Sequence, residues 1–336
     1  MSSRLKGTSA ALSAPLLMTI GFVIWDKSWK GGPMALNLFK CSLATIVFAC
    51  IVPILSSSFE SSFRDVCYLV LSAFLGIFIG DGFWLYALQV LGPRKVIVCD
   101  CVKPFLAAGV GYVFLEDEFE YSSLIGIVMT MIGVFLISLE SNSESKKKEE
   151  NHQHGEEEEE KSETKNSFEN SFEIKSGDKE ESFLSRERLG VTCAVLNVIF
   201  DVLGSFLTRS YGENMNTFEI NIIRFGSASV MLWIAYVVSL SFSWEMFLFS
   251  SPEGTTMSTR EWSLIALGVL FVTVGCPALS NYALFKIELG ICLTLTSIGP
   301  LYALPLTYIS KGETVSLRSF LAALLSCGGV AVLYTL

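Results

Sequence analysis

Histidine is nearly absent from this chain. The 336 residues include two, His152 and His154, and both sit in one charged stretch. No apolar run contains a histidine, and neither an HExxH nor a GxSxG pattern occurs. General-base chemistry inside those runs would have to rest on carboxylates alone, which argues against an enzyme. CxxC pairs and zinc-spaced Cys/His clusters are also missing. Eight of the nine cysteines lie inside apolar runs and Cys67 at the edge of one, so they read as small apolar helix residues and not as a disulfide scaffold. Basic residues interleaved with aromatics are lacking too, which leaves no basis for a nucleic-acid partner.

Charge is scarce outside one segment. Residues 141–187 hold fifteen Asp/Glu and eight Lys/Arg, a net of −7 out of −9 for the whole chain. Their composition cannot bury enough apolar surface to fold, so a disordered charged linker is expected. His152 and His154 offer a metal site only among solvated glutamates. No metal and no cofactor is expected.

What is abundant is apolar sequence: 51% of residues, with a mean hydropathy of +0.52 despite the linker. About 20 mostly apolar residues cross a bilayer as a helix. Ten such runs occur, near Thr8–Trp25, Met34–Leu55, Val66–Leu91, Lys95–Leu115, Tyr121–Leu139, Leu189–Thr208, Thr217–Leu240, Trp262–Ile287, Gly290–Ser310 and Val315–Leu336. The expected fold is an all-α polytopic membrane protein. The basic N-terminus followed by further spans reads as an uncleaved first helix.

The two halves repeat. Tyr86-Ala87-Leu88 recurs as Tyr282-Ala283-Leu284, Pro104 as Pro300, and Gly133-Val134 as Gly329-Val330, all at an offset of 196. Asn37-Leu38-Phe39-Lys40 matches Asn221-Ile222-Ile223-Arg224 at an offset of 184. Five spans per repeat is an odd number, so the second repeat enters from the opposite side. That makes an inverted-topology pair, as found in transporters. The expected organisation is a first five-helix repeat over 1–140, the linker over 141–187 and a second five-helix repeat over 188–336.

Gly80-Asp81, Tyr86-Ala87-Leu88, Leu91-Gly92-Pro93-Arg94, Pro104 and Leu115-Glu116-Asp117-Glu118 resemble the EamA-type transporters of the drug/metabolite transporter superfamily. Tyr282-Ala283-Leu284, Pro300 and Lys311-Gly312-Glu313 are the second-half counterparts, and the resemblance covers the chain except residues 141–187. The resemblance implies a ten-helix carrier of two inverted repeats. Spans three, four, eight and nine, with one and six, would surround a central cavity, and five and ten would lie at the periphery. It also implies alternating access without naming a solute, because the family moves amino acids, nucleotide sugars, sugar phosphates, nucleobases and drugs. The charged insertion departs from the compact pattern and leaves room for a protein partner.

Charges within spans are costly and usually face a cavity or a partner. Asp100 and Lys103, three residues apart, can pair on one helix face. Their repeat counterparts, Thr296 and Gly299, carry no charge. Divergence between pseudo-symmetric halves is where an asymmetric solute would be read. Asp81 and Asp201 have no obvious local cation; Asn197 shares a face with Asp201. Trp84, Asn281 and Tyr282 offer stacking and hydrogen-bonding groups. These eight residues are the candidate solute site. Lys40 and Arg224, at matched repeat positions, read as anchoring or closing contacts. Pro104 and Pro300 would each remove a helix hydrogen bond, either kinking the helix or freeing a carbonyl to face the solute.

The expected function is a secondary-active or exchange carrier of a small polar metabolite within the lipid bilayer, acting as a monomer or homodimer. The alternative is a non-transporting membrane scaffold, or an ion carrier, that uses the charged loop for partners.

Overall fold

The structure is a computed structural model that describes residues 3–55, 61–118, 120–138, 173–242, 249, 257–311 and 316–335. Among these residues there are helices and no strands. In chain order they are α1 (Ser3–Ser28), α2 (Pro33–Leu55), α3 (Phe63–Ala73), α4 (Asp81–Asp100), α5 (Lys103–Phe114), α6 (Tyr121–Ser138), α7 (Glu173–Tyr211), α8 (Thr217–Phe242), α9 (Thr259–Val269), α10 (Cys276–Leu284), α11 (Leu289–Thr296), α12 (Gly299–Lys311) and α13 (Leu317–Thr335). Among the described residues nine stretches are long and apolar enough to cross a membrane, and Leu317–Leu333 of α13 supplies a shorter tenth. The protein is a multi-pass integral membrane protein with the expected ten-span layout.

Its outer surface is apolar. Ile46, Tyr112, Val113, Ile125, Val230, Ile234 and Phe320 are each more than half exposed, a belt that suits hydrocarbon and not water. Polar side chains turn inward instead, among them Asn37, Ser72, Thr130, Asn197, Thr208 and Asn221.

Ion pairs at the span ends agree with alternating direction. Arg4 meets Glu288 at 3.5 Å and Arg209 meets Asp117 at 2.7 Å. These are the start of α1, the start of α11, the end of α7 and the turn after α5, which ten alternating spans place on one face. Lys30 meets Glu261 at 2.6 Å, and Lys95 meets Glu187, on the opposite face. Omitting a crossing between the partners of any of these pairs would put them on opposite faces.

Helical backbone runs without interruption from Asp81 to Asp100, through Gly92-Pro93, where a break was expected. A straight helix of that length would measure about 30 Å. Yet Gly80 and Lys103, at its two ends, both reach α7, at Asn197 and Asp201, two positions about 6 Å apart on one helix. The chain therefore folds back within α4. Leu91, Val96 and Cys99 accordingly share one apolar cluster with Cys193 and Ala194. The expected boundary between spans three and four stands, made by a sharp bend instead of a loop.

Within the third and eighth spans the helix relaxes into π-helical turns, Phe74–Gly80 and Leu270–Gly275, starting at positions 196 apart. The fourth and ninth spans are interrupted at another matched pair, Cys101-Val102 and Ser297-Ile298. Pro104 and Pro300 stand in the first turn after each interruption, where a missing N–H costs nothing. They start new helices and do not kink continuous ones. Broken spans at matched places are what transporter folds use to expose backbone to a cavity.

Spans five and ten meet about the pseudo-two-fold axis. A Cβ on Gly133 would stand 2.6 Å from the Ala322 carbonyl oxygen, and one on Gly329 would stand 2.5 Å from the Thr130 nitrogen. Ser326 donates to the Thr130 carbonyl at 3.3 Å, a bond between residues 196 apart. Each repeat thus supplies the same small-residue surface to the other.

Residues 141–172, including His152 and His154, lie outside the described residues, as do Gly312 and Glu313. α7 begins at Glu173, inside the segment expected to be disordered.

Candidate functional site

The π-helical turn over Phe74–Gly80 displaces backbone carbonyls from their usual partners, and two asparagines take them up. Asn37 donates to the Ile77 carbonyl at 3.3 Å and Asn197 to the Gly80 carbonyl at 3.0 Å. Asn37 comes from α2 and Asn197 from α7, so the turn is held from both sides. Asp81 follows directly, with its backbone N–H bonded five residues back to Gly76.

Asp81 has a cation that is not local in sequence: Lys40, from α2, makes an ion pair with it. Lys40 is only 8% exposed and points into the bundle instead of snorkelling outward. A carboxylate opposite a lysine on a neighbouring span is invisible to a local search, because 41 residues separate the two.

Asp201 also has a cation. Lys103 Nζ lies 2.9 Å from Asp201 Oδ2 and 3.6 Å from Asp100 Oδ1. Lys103 is therefore shared between the first repeat's own Asp100 and the second repeat's Asp201. Asp100 and Lys103 do not stand on one continuous helix face as expected; they straddle the break at Cys101-Val102. Asp100 ends α4 and Lys103 begins α5, the reverse of what helix dipoles favour. The pair is not there to cap the break. Asp100 Oδ1 makes no hydrogen bond among the described residues, and the Trp84 indole lies within reach of this carboxylate. Trp84 stacks on Phe22 of α1 at 5.4 Å between ring centroids.

On the other side of α7, Asn281 of α10 donates to Asn221 Oδ1 of α8 at 2.7 Å. Asn221 Nδ2 and Asn197 Oδ1 are left without partners among the described residues. Arg224, one turn beyond Asn221, feels the charges of both Asp81 and Asp201.

The structure thus joins six of the eight candidates, Asp81, Trp84, Asp100, Lys103, Asn197 and Asp201, around α4, α5 and α7. Asn281 reaches the same layer through Asn221. Tyr282 is not brought in: it is 37% exposed, and its ring lies under Lys286 Nζ at 5.9 Å. Lys40, Arg224 and Asn221, which sequence reasoning left outside the site, belong to the layer. Their signal was present in the matched Asn-x-x-Lys and Asn-x-x-Arg of spans two and seven.

A second cluster closes one face. Arg209 donates to Asp117 Oδ1 at 2.7 Å and Oδ2 at 3.3 Å, and also to the Ile287 carbonyl at 3.0 Å. Asp117 Oδ2 accepts from the Leu289 N–H at 2.9 Å, at the start of α11. Gly111 makes room for it, since a Cβ there would sit 2.6 Å from Asp117 Oδ2. Glu116, at φ 56°, turns the chain so that Asp117 can fold back. One carboxylate, 5% exposed, therefore ties α5, α7 and α11 together.

The model of the EamA-like transporter family matches this chain twice, over residues 5–139 and 188–335. Among solved structures, one titled only as the crystal structure of a protein is similar in fold, with a TM-score of 0.70 over 98% of each chain at 13% identity. No curated protein matches.

Proposed function

The chain belongs to the EamA-like transporter family, and on that premise we propose that it carries a small polar solute by alternating access through the layer around Lys103. The protein is a membrane transporter of the drug/metabolite superfamily, and its family is not an enzymatic one. The observation that carries the proposal is Lys103, near the middle of its apolar span and held at once by a carboxylate from each repeat. Rocking one repeat against the other changes this three-way contact, so occupancy of the site and conformation are linked.

The ends of the spans support that reading. Four ion pairs at the two faces join the first repeat to the second or to Glu187 at the start of the sixth span. Opening either face must break its own pairs. The pairs on the face with Lys30 and Lys95 are open to solvent, which screens them, so they contribute little. The Asp117–Arg209 contact is buried and additionally caps a helix, so removing one partner costs about 3–5 kcal/mol. The face that holds Asp117 is the firmly latched one.

The test is uptake and counterflow in proteoliposomes with panels of charged and polar metabolites, wild type against Lys103→Gln. A transported solute whose flux is lost in the variant, with the protein still monodisperse, supports the proposal. Flux that is equal in both would remove Lys103 from the solute path. Deleting residues 145–185 separates carrier from scaffold: a carrier keeps its flux without the linker.

A further inference from the structure

Six ionisable side chains of the spans form the central layer: Asp81, Asp100 and Asp201 against Lys40, Lys103 and Arg224. Lys40 is taken by Asp81, and Lys103 by Asp100 and Asp201. Arg224 alone closes no ion pair among the described residues, and its Nε is buried with no hydrogen-bond acceptor. Its Nη2 lies against Gly76, 3.4 Å from where a Cβ would stand, where the π-helical turn Phe74–Gly80 crosses α7. Asn221, three residues earlier and on the same helix face, keeps a buried amide donor free. Asn197, one turn before Asp201 on α7, keeps a buried amide oxygen free. Two unused donors on α8 and one unused acceptor on α7 therefore belong to the layer, where Asp100 Oδ1, 3.6 Å from Lys103 Nζ, is the other buried side-chain atom without a hydrogen bond among the described residues.

An unused guanidinium N–H and amide donor in mid-membrane cost free energy unless something accepts from them. A guanidinium beside an amide fits a carboxylate, which can take two parallel N–H bonds. Charge counting restricts the rest of the ligand. The layer is neutral, with three acids and three bases. A simple anion would leave it with one net negative charge in a low-dielectric site, and a simple cation with one positive. A molecule that bears both charges leaves the sum at zero.

We propose that Arg224 and Asn221 receive the carboxylate of a zwitterionic solute, an α-amino acid, while Asn197 and the carboxylates of Asp81 and Asp201 hold its ammonium group. The proposal rests on the carrier reading above and names its solute class. It moves Arg224 from a closing contact to a binding residue, and it leaves Lys103 as the partner of two aspartates and not the residue that meets the solute's anion.

The experiment is a thermal-shift titration of the full-length protein in detergent with the standard L-amino acids. For each binder it is repeated with the decarboxylated amine and the deaminated acid of the same side chain. At least one amino acid should stabilise the wild type, with its amine and its acid each weaker by about 30-fold or more. Arg224→Gln should lose that amino acid by a similar factor while binding the amine as well as wild type does. Arg224→Lys, which keeps the charge without the planar fork, should fall in between. Ligand-free midpoints of both variants establish that they are folded. If no amino acid binds, if the amine matches the amino acid, or if both Arg224 variants bind unchanged, the proposal is overturned. The two readings fail differently. A different polar solute whose flux is lost in Lys103→Gln but kept in Arg224→Gln leaves the carrier site standing and removes Arg224 from it. Flux indifferent to Lys103, Asp100 and Asp201 alike removes both.

Discussion

The two repeats place equivalent helices together and fill the contact with different chemistry. In the first, α4 and α5 meet α7, and Lys103 is shared with Asp201. In the second, the matching helices meet α1, and the counterpart of Lys103 is Gly299, whose carbonyl accepts from Thr19 at 3.3 Å. Asp100 becomes Thr296, whose hydroxyl turns back to its own helix at Cys292, 3.0 Å away. Asp81 becomes Pro277 and Trp84 becomes Ser280. What the repeats keep in common is mostly mechanical: the π-helical turns, the interrupted spans, the prolines that restart them and the glycine crossing of α6 with α13, with the matched Asn-x-x-Lys and Asn-x-x-Arg of spans two and seven as the polar exception. Duplication supplied a symmetric frame, and the charges of spans three and four were placed in one half of it. A symmetric frame suits alternation between two faces. An asymmetric solute needs the asymmetric filling.

That division makes graded predictions. Breaking the shared frame should do the most damage. Gly329→Leu must displace Thr130 and its backbone nitrogen, which stand within 2.5 Å of the new Cβ. Overpacking of this kind costs about 1–3 kcal/mol where side chains can yield, and more is expected here because backbone blocks the space. Fluorescence size-exclusion chromatography should show little monodisperse protein. Next comes the latch. Asp117→Ala removes the Arg209 partner and the cap on Leu289 together, and should lower stability by about 3–5 kcal/mol, read as a drop in thermal midpoint. Arg209→Leu, which withdraws the charge as well, should recover part of it.

Within the layer, matched substitutions sharpen the contrast between halves. Lys103→Leu leaves Asp100 and Asp201 without their shared cation and should abolish flux. Gly299→Ala, at the equivalent place in the second repeat, meets only the Thr19 hydroxyl at 3.5 Å and should leave flux within about two-fold of wild type; such ordinary contact rarely shifts stability beyond ±0.5 kcal/mol. Equal effects at the two positions would break the comparison. The smallest effect belongs to Tyr282→Phe. Its ring is outside the layer, so thermal midpoint and flux should both stay close to wild type.

Much of the frame was legible in the residues. Ten apolar runs and three matches at one offset sufficed for ten spans and an inverted repeat, because a bilayer leaves helices as the one way for such runs to satisfy their backbone. Part of the site was legible for the same reason: Asp81, Asp100, Lys103 and Asp201 stand out because charge in apolar surroundings is expensive. Their partners were not. Lys40 lies 41 positions from Asp81, and Lys103 lies 98 positions from Asp201. Asp117 looked like a residue of a loop motif, and only its approach to Arg209 and Leu289 gives it a task. Tyr282 sits in a repeated motif next to Asn281, yet one residue along a helix is a turn of about 100° and carries it to the outer face.

From its sequence alone this protein is a ten-span member of its transporter family with charges its membrane must accommodate. Composition, run length and repeat spacing determine that much, because each is a local or periodic quantity. Which charge answers which, and that Lys103 is shared while Arg224 closes no ion pair among the described residues, were decided by tertiary structure. Ion pairing depends on distances of a few ångströms between spans, and no spacing along the chain encodes how two spans turn toward each other.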